Sequence, residues 1–325
     1  SAPTAEVAVR AAHRLAALDR VSALLGGVGE GQGKRLAEVA GSLGLPFMNV
    51  ADPSSGLRTA ACASTIFNVA PDYRDYLSVM SQYLDRTTPL DLLVVRPATP
   101  EGRLLEELLR RSLAATDEPS SMTTVEVAPQ EPYYGRAIEQ IRATGASAVV
   151  LLIDADEQLV FLGQYETAGL TAPVLGLPTS GTQLRQYYWT LARDARGSGT
   201  APRFAMWDAS ISPSTFNDAY RARFGQQSEA ASWAAYVAVQ VLQQAALLAE
   251  RTSTTLLRAL MTPNATYDVV GSSNARFDSA AHQLRTPVYV LDLEVPPAGV
   301  RFEAARLTSV VATLDVGGGL TGQCH

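Results

Sequence analysis

Apolar and polar positions alternate along the chain with two different periods, and together these periods predict an α/β fold. Short apolar runs that are typical of buried strands lie at 21–25, 46–50, 91–95, 123–127, 147–153 and 173–177. Apolar residues at helical spacing predict helices at 4–20, 33–43, 72–84, 101–114, 133–144 and 157–168. Strands that alternate with helices are typical of parallel sheets with helices packed on both faces.

The second part of the chain predicts a mixed region. It carries helical patterns at 213–224 and 229–250, a strand at 287–295 and a strand-like tail at 306–316. The most apolar stretch, Trp233–Ala249, is interrupted by glutamines and is shorter than the roughly 20 residues that a membrane-spanning helix needs. We therefore expect a buried helix there.

Composition narrows the class of protein without naming it. The chain has 325 residues, of which 47% are hydrophobic and 18% charged, and this length suits two lobes, each with its own core. The net charge of −6 does not favour nucleic acid or an anionic membrane as a partner. The opening "SAPTAEVAVR" is not a signal peptide, so we expect that any export signal has been removed.

The two cysteines, Cys62 and Cys324, lie near opposite ends of the chain and fit no metal-binding spacing. They form either two buried free thiols or one long-range disulfide. If the chain is exported, an oxidising compartment favours the disulfide.

A glycine-rich turn joins the first predicted strand to a helix, in "SALLGGVGEGQGKRLAEVA" at 22–40. The dinucleotide fingerprint Gly-x-Gly-x-x-Gly requires a third glycine at its last position. When the pattern starts at Gly27, Gly29 or Gly31, that position holds Gln32, Lys34 or Leu36, respectively. The P-loop fingerprint requires a glycine where this chain has Val28 and a serine or threonine where it has Arg35. A plain strand-to-helix turn and a ligand-contacting turn both remain, because such turns direct backbone N–H groups outward.

Polar residues follow most of the other predicted strands. In parallel sheets, ligands bind beyond the carboxyl ends of the strands, so these residues are candidate contacts. They are Glu30, Asp52, Ser54, Ser55, Arg96, Thr99, Asp154, Asp156, Thr179, Ser180 and Gln183.

The sequence offers little support for catalysis. His13, His282 and His325 are the only histidines, and none of them follows a predicted strand, so a nucleophile would have no obvious base. Asp154 and Asp156 in "DADE" are either the capped start of a helix or carboxylates that bind a ligand or act in an enzyme. No set of metal ligands can be assembled, and no cofactor is expected.

The order and spacing of several segments resemble a type I periplasmic solute-binding protein of the branched-chain amino acid and amide group. These segments are "SAPTAEVAVRAAHRLAALDRVSALLGG", "LAEVAGSLGLPFMNVADPSSGLR", "FNVAPDYRDYLSVMSQYL", "FNDAYRARFGQQSEAASWAAYVAVQVLQQAALLAE" and "VVGSSNARFDSAAHQLRTPVYVLDLE". More narrowly, "PSSGLRTAACASTIFNVAP", "QLRTPVYVL" and the C-terminal cysteine resemble a subset that accompanies quinoprotein alcohol dehydrogenase systems.

The resemblance implies two lobes that close on a small solute and a division of the chain between them. Lobe 1 would comprise 1–95 and 225–260, lobe 2 would comprise 96–224 and 261–295, and 296–325 would form a tail. By position, the resemblance implies ligand contacts at Gly29, Glu30, Ala51, Asp52 and Ser54 in lobe 1. In lobe 2 it implies contacts at Pro100, Glu101, Asp154, Ala155, Pro178 and Thr179.

The chain departs from the family pattern in two ways. Amino-acid binders of this group usually carry serine or threonine where this chain has Gly29, Glu30 and Asp52, and acidic side chains there would repel a carboxylate. The resemblance also begins downstream of the family's first strand, helix and second strand. We expect that a preceding segment has been lost by cleavage or disorder; the alternative is a rebuilt lobe in which 306–316 fills part of the gap.

The resemblance implies an extracytoplasmic binding protein, periplasmic or anchored as a lipoprotein. It would be a monomer that captures a small polar or aromatic solute and delivers it to the membrane permease of an ABC importer. One alternative is a ligand-sensing module of the same fold that serves a receptor or a dehydrogenase. The other is an α/β enzyme that uses Asp154 or Asp156.

Overall fold

The chain forms two compact units of alternating helices and strands. A computed structural model describes residues 4–29, 31–58, 63–85, 91–114, 121–194, 203–206, 215–248, 253–262, 264–302 and 307–315. Unit 1 consists of the described residues within Ser1–Asp72 and Asp208–Thr286, and unit 2 of those within Tyr73–Trp207 and Pro287–Leu320.

The elements follow one another along the chain in the order that the sequence predicts. Up to the first boundary they are α1 (Ala5–Arg14), a π-helical turn (Leu15–Asp19), β1 (Leu24–Gly26), α2 (Gln32–Leu43), β2 (Phe47–Asn49), a 3₁₀ turn (Ser55–Arg58) and β3 (Ile66–Asn68). Next come α3 (Tyr73–Asp85), β4 (Asp91–Pro97), α4 (Pro100–Ala114), β5 (Ser121–Val127), α5 (Gly135–Thr144), β6 (Ala148–Leu151), α6 (Ala155–Thr167), β7 (Val174–Gly176), α7 (Arg185–Asp194) and β8 (Arg203–Met206). The remaining elements are α8 (Thr215–Phe224), α9 (Ala230–Leu248), α10 (Ser253–Leu260), β9 (Tyr267–Val269), β10 (Ser272–Ala275), β11 (Val288–Leu293) and β12 (Thr308–Leu314).

Unit 1 is built on a parallel sheet of three strands in the order β1-β2-β3. Every residue of β2 and β3 is buried, as expected for parallel strands that are covered on both faces. One core cluster of this unit contains Leu36, Ala40, Phe47, Leu57 and Ile66, contributed by α2, β2, the 3₁₀ turn and β3. The small sheet of β9 and β10 is antiparallel.

Helix α2 of unit 1 has a glycine at each end. Gly31, at its N-cap, has φ 67°, and Gly44, at its C-cap, has φ 63°. Only glycine adopts these left-handed conformations without strain, so the two residues define where the helix starts and stops. The start of α2 thus lies directly after the glycine-rich turn, as the sequence predicts.

Unit 2 contains a seven-stranded sheet in the order β12-β11-β8-β7-β6-β4-β5. The pairs from β5 to β8 are parallel, whereas β11 pairs antiparallel with β8 and β12 pairs antiparallel with β11. Its core cluster packs β4 and β6 against α5 and α6, with Leu93, Val149, Ile138, Phe161 and Tyr165 among its members. A hydrogen bond from the Tyr165 hydroxyl to the Ala172 carbonyl oxygen, 2.8 Å long, fixes the α6–β7 connection.

The C-terminal tail resolves one alternative left by the sequence. In that alternative, 306–316 fills part of a gap in lobe 1, but β12 pairs with β11 in the sheet of unit 2, from Val288 opposite Leu314 to Leu293 opposite Thr308. That alternative is wrong. The residues are strand-forming as predicted, but their pairing partner lies in the other unit.

The two units also divide the chain at different positions from those inferred by resemblance. Residues 73–85 and 91–95 belong to unit 2, because β4 is an inner strand of its sheet, between β5 and β6. Residues 264–286 belong to unit 1, where the strand β9 packs against α9.

Helix α9 is less buried than the sequence suggests. One stripe of the helix is buried, including Trp233, Val237 and Val241, but Val239 is 54% exposed and Leu247 is 73% exposed. The prediction of a buried helix therefore holds for one face of α9 and is wrong for the other. Among the described helices, none has the length and apolar character that a bilayer-spanning segment requires.

Candidate functional site

The carboxyl edge of the unit 1 sheet is held in shape by Asn49, the last residue of β2. Asn49 is 1% exposed, and its Oδ1 accepts the backbone N–H groups of Ala51 (3.4 Å) and Asp52 (3.0 Å). Its Nδ2 donates to the Asp52 carbonyl oxygen (2.8 Å) and to Asn68 Oδ1 (3.0 Å) at the end of β3. One buried amide therefore fixes the turn after β2 and ties it to the next strand.

Asp52 lies in a notch between the glycine-rich turn and helix α2. Its side chain is 9% exposed, and Oδ1 accepts the backbone N–H of Ser54 at 2.9 Å. A methyl group on Gly33 would collide with the Asp52 carboxylate, whose Cγ lies 2.7 Å from the position of that methyl carbon. A methyl group on Gly27 would collide with Asn49 Oδ1. Gly33 therefore leaves the space that the Asp52 side chain fills, and Gly27 leaves space for the Asn49 amide.

The other expected contacts of unit 1 occupy the same edge of the sheet. Gly29 has φ 139°, and a Cβ there would lie 2.7 Å from Gln32 Nε2, so this position also requires glycine. Ala51 is buried, and Ser54 is partly buried beside Asp52. Glu30, which the resemblance also implied, lies outside the described residues.

In unit 2, Pro100 and Glu101 form the exposed first turn of α4. The Thr99 hydroxyl oxygen caps this helix by accepting the backbone N–H of Gly102 at 3.0 Å. A Cβ on Gly102 would collide with the Pro97 carbonyl oxygen, so glycine at this position lets α4 start close to the end of β4. Capping of α4 therefore explains why a hydroxyl residue, Thr99, follows β4.

Asp154 is the N-cap of α6, and Asp156 lies in the first turn of that helix. A capping box is present, in which Glu157 Oε2 accepts the backbone N–H of Asp154 at 3.1 Å. Both aspartates are exposed, and residues two apart on a helix do not face each other. Of the two interpretations of "DADE", the structure supports the capped helix start over a pair of catalytic carboxylates.

The turn after β7 contains Pro178 and Thr179, and both residues are buried. Thr179 donates its backbone N–H to Thr182 Oγ1 at 2.7 Å and accepts the Thr182 N–H on its own hydroxyl oxygen at 3.3 Å. A Cβ on Gly181 would lie 2.8 Å from the Ala155 Cβ, so the turns after β6 and β7 touch. The structure therefore brings Ala155 and Thr179 together at one edge of the unit 2 sheet.

Gln158 has the same role in unit 2 that Asn49 has in unit 1. It is fully buried, and its Nε2 donates to the carbonyl oxygens of Ile153 (2.8 Å) and Leu177 (3.0 Å), which follow β6 and β7. Its Oε1 accepts the Tyr187 hydroxyl at 2.7 Å, and burial raises the pKa of that hydroxyl. Neither amide was predicted from the sequence as a residue of the site. The signal for Asn49 was present, as a single polar residue inside an apolar run.

The histidines and acidic groups do not form a reactive centre within the described parts of the chain. His282 is 7% exposed, its ring stacks on Phe67 at 5.1 Å, and its Nδ1 lies 3.1 Å from the Ile66 carbonyl oxygen. Burial lowers the pKa of His282, against the opposing effects of Ile66 and Asp278. His13 is exposed on α1, and no cluster of three or more metal-binding side chains occurs among the described residues. His325, Cys62 and Cys324 lie outside these residues, so the disulfide stays a prediction.

The fold agrees with that of solved ABC transporter binding proteins. An amino acid ABC transporter substrate-binding protein from Pseudomonas fluorescens Pf-5 has a TM-score of 0.79 at 15% identity, covering 98% of this chain and 85% of that one. A solute-binding protein from R. palustris in complex with benzoate has a TM-score of 0.69 at 14% sequence identity, and the match covers 98% of this chain and 85% of that one. The Streptococcus pneumoniae protein LivJ in complex with isoleucine has a TM-score of 0.71 at 18% sequence identity, and the match covers 97% of this chain and 84% of that one. No curated protein is significantly similar in sequence.

Family membership rests on the sequence itself. The sequence model of the family described as periplasmic binding protein matches residues 2–299, which is most of the chain. This match confirms the resemblance inferred from the segment order and identifies a family of binding proteins, not of enzymes. The narrower resemblance to proteins of quinoprotein dehydrogenase systems stays a prediction. The chain belongs to the periplasmic binding protein family.

Proposed function

We propose that this protein is the solute-binding component of an ABC importer. It binds a small polar or aromatic solute outside the cytoplasm and delivers it to a membrane permease. The observation that carries the proposal is shared by both units: a fully satisfied buried amide, Asn49 or Gln158, fixes the turns at the carboxyl ends of parallel strands. Turns that are ordered before binding lose less entropy when a ligand binds.

The contacts that we propose come from these turns. In unit 1 they are Gly29, Glu30, Ala51, Asp52 and Ser54, and in unit 2 they are Pro100, Glu101, Asp154, Ala155, Pro178 and Thr179. Exposed first turns of helices recur in this set, at Pro100 and Glu101 in α4 and at Asp154 and Ala155 in α6. Because the N–H groups of Asp154 and Thr179 are bonded within their own turns, we expect these two residues mainly to shape the surface that contacts the solute.

The setting of the protein follows from the same proposal. Binding proteins of importers work on the outer side of the membrane, so we propose that the chain is exported with removal of a signal peptide and acts as a monomer. Anchoring as a lipoprotein is compatible with this role. The relatives named above are in complex with benzoate and isoleucine, which suggests aromatic acids and amino acids, together with their neutral and cationic analogues, as the first solutes to test.

A thermal-shift screen tests the proposal. The purified chain is melted in the presence of amino acids, aromatic acids, amides, amines and polyols, and native mass spectrometry of each positive mixture counts the bound molecules. A solute that binds only the folded chain raises the melting temperature in proportion to the logarithm of its concentration. We expect at least one solute to do so with a stoichiometry of one. No shift and no bound mass across the panel would contradict the proposed function.

A further inference from the structure

The start of helix α2 in unit 1 is a positively charged environment. The first turn of an α-helix has N–H groups without helical partners and carries about half a unit of positive charge. In α2 this turn also contains Lys34 and Arg35 and no acidic residue. Arg35 pairs with Glu38 at 3.0 Å, further along the same helix. An anion at the very start of α2 would therefore be stabilised.

The chain itself supplies that anion. The Asp52 carboxylate lies against Gly33, the second residue of α2, at the position where any other residue would carry its Cβ. Asp52 is held there by the Ser54 N–H on Oδ1 and by Asn49, which bonds both the N–H and the carbonyl oxygen of Asp52. With 9% of its surface exposed, the side chain is part of the wall of this edge and not a mobile surface group.

We propose that Asp52 determines the charge of the solute. Its negative charge offsets the positive charge at the start of α2 and repels an anionic group of a ligand, so the turns of unit 1 accept a neutral or cationic group, such as an amide, a hydroxyl or an ammonium. This inference rests on the proposed function and narrows its ligand class. It also explains two glycines of the glycine-rich segment: Gly33 makes room for an internal carboxylate, and Gly27 makes room for the Asn49 amide that holds it.

The change Asp52→Asn isolates the charge. Asparagine has the same shape and keeps an oxygen that accepts the Ser54 N–H, so the turn is retained while the negative charge is removed. Asp268→Asn is the matched control, because it makes the same chemical change at an exposed position of β9 in the same unit. Circular dichroism and melting temperature establish that each variant is folded.

The probes are matched sets that differ only in charge: benzoate, benzamide and benzylamine, and leucine with leucinamide. Calorimetric titration gives the dissociation constant of each probe for the three proteins. We expect the wild type to bind the amide or the amine more tightly than the acid. We expect Asp52→Asn to bind the acid about two- to fivefold more tightly than the wild type does, the ratio that a typical helix-terminus interaction gives. Asp268→Asn should match the wild type.

The outcomes separate this inference from the proposed function. If the wild type binds benzoate or leucine at least as tightly as the neutral analogue, and Asp52→Asn does not improve that affinity, Asp52 does not select charge, although the protein is still a solute-binding protein. If neither the wild type nor the variant binds any probe or any solute of the wider screen, the proposed function fails and this inference fails with it. If Asp52→Asn does not fold, the preference of the wild type among matched probes still decides the question.

Discussion

Replacement of Asn49 by alanine tests whether one buried amide holds the carboxyl edge of the unit 1 sheet. The side chain is 1% exposed and makes four hydrogen bonds: two accepted from the N–H groups of Ala51 and Asp52, and two donated, to the Asp52 carbonyl oxygen and to Asn68. Alanine removes all four and leaves the partner groups buried without them. Nothing else among the described contacts of this turn replaces these bonds.

The expected loss of stability follows from the number of bonds. Each intramolecular hydrogen bond contributes about 1 kcal/mol net, and the bond to Ala51 is long, so we expect Asn49→Ala to reduce the free energy of unfolding by about 3 kcal/mol. That is a large part of the 5–15 kcal/mol that is usual for a folded protein. For a unit of this size it corresponds to a melting temperature lower by about 6 to 12 °C.

Thermal unfolding followed by circular dichroism measures this loss. Asn274→Ala is the control, because Asn274 is exposed on β10 of the same unit, and we expect its effect to stay within about 0.5 kcal/mol. If Asn49→Ala melts within 2 °C of the wild type by this same scale, the hydrogen bonds of Asn49 do not hold the turn and the reasoning is refuted.

Three further comparisons probe the helix starts and the buried histidine, each by melting curves. Gly33→Ala should lower the free energy of unfolding by about 1–3 kcal/mol, because the added methyl group meets the Asp52 carboxylate. Gly163→Ala, at an open position of α6, should raise it by up to about 1 kcal/mol. Equal shifts in melting temperature would contradict the close contact between Gly33 and Asp52. Asp154→Ala should lower the free energy of unfolding by about 1 kcal/mol through loss of the cap, and Asp156→Ala by less than about 0.5 kcal/mol; equal losses would contradict the cap. Burial lowers the pKa of His282 below its ordinary value of 6.5. The unfolded chain therefore takes up a proton on this histidine at a higher pH than the folded chain does. As a result, the stability of the wild type should fall as the pH decreases below about 6.5. His282→Asn, which tolerates the φ of 48°, should weaken that dependence; an unchanged slope would rule the histidine out as its source.

The periods of the sequence predicted most of the elements, because parallel α/β units leave a strong local signal. Strands such as β4 and helices such as α4 lie within a few residues of their predicted positions. The short strands β3, β8, β9 and β10 and the helices α7 and α10 were missed. A run as short as "IFN" carries no measurable period, and α7 presents charged and aromatic residues without a clean apolar stripe.

The arrangement of the site was less accessible from sequence, because its decisive contacts join distant residues. Asn49 bonds Asn68 nineteen positions away, and Gln158 joins Leu177 and Tyr187. Such pairs depend on strand order, which periodicity does not encode. The turn residues themselves were predictable, since polar groups after parallel strands are local features.

Tertiary contacts also changed the meaning of predicted residues. The sequence correctly predicted that the glycine-rich turn joins a strand to a helix. That Asp52 fills the space beside Gly33 is visible only in the structure. For Asp154, the sequence left open a helix cap and a carboxylate that binds a ligand or acts in an enzyme; the hydrogen bonds of the capping box show the cap, and the contact with a ligand stays a prediction.

Hydrogen–deuterium exchange with and without a bound solute tests the central claim most directly, namely that the strand-end turns of both units bind the solute. We expect slower exchange in the presence of the solute at backbone amides of 27–32 and 51–54 in unit 1, and of 99–102, 154–155 and 179–182 in unit 2, with little change elsewhere. A solute that binds with a stoichiometry of one but slows exchange only outside these turns would contradict the account.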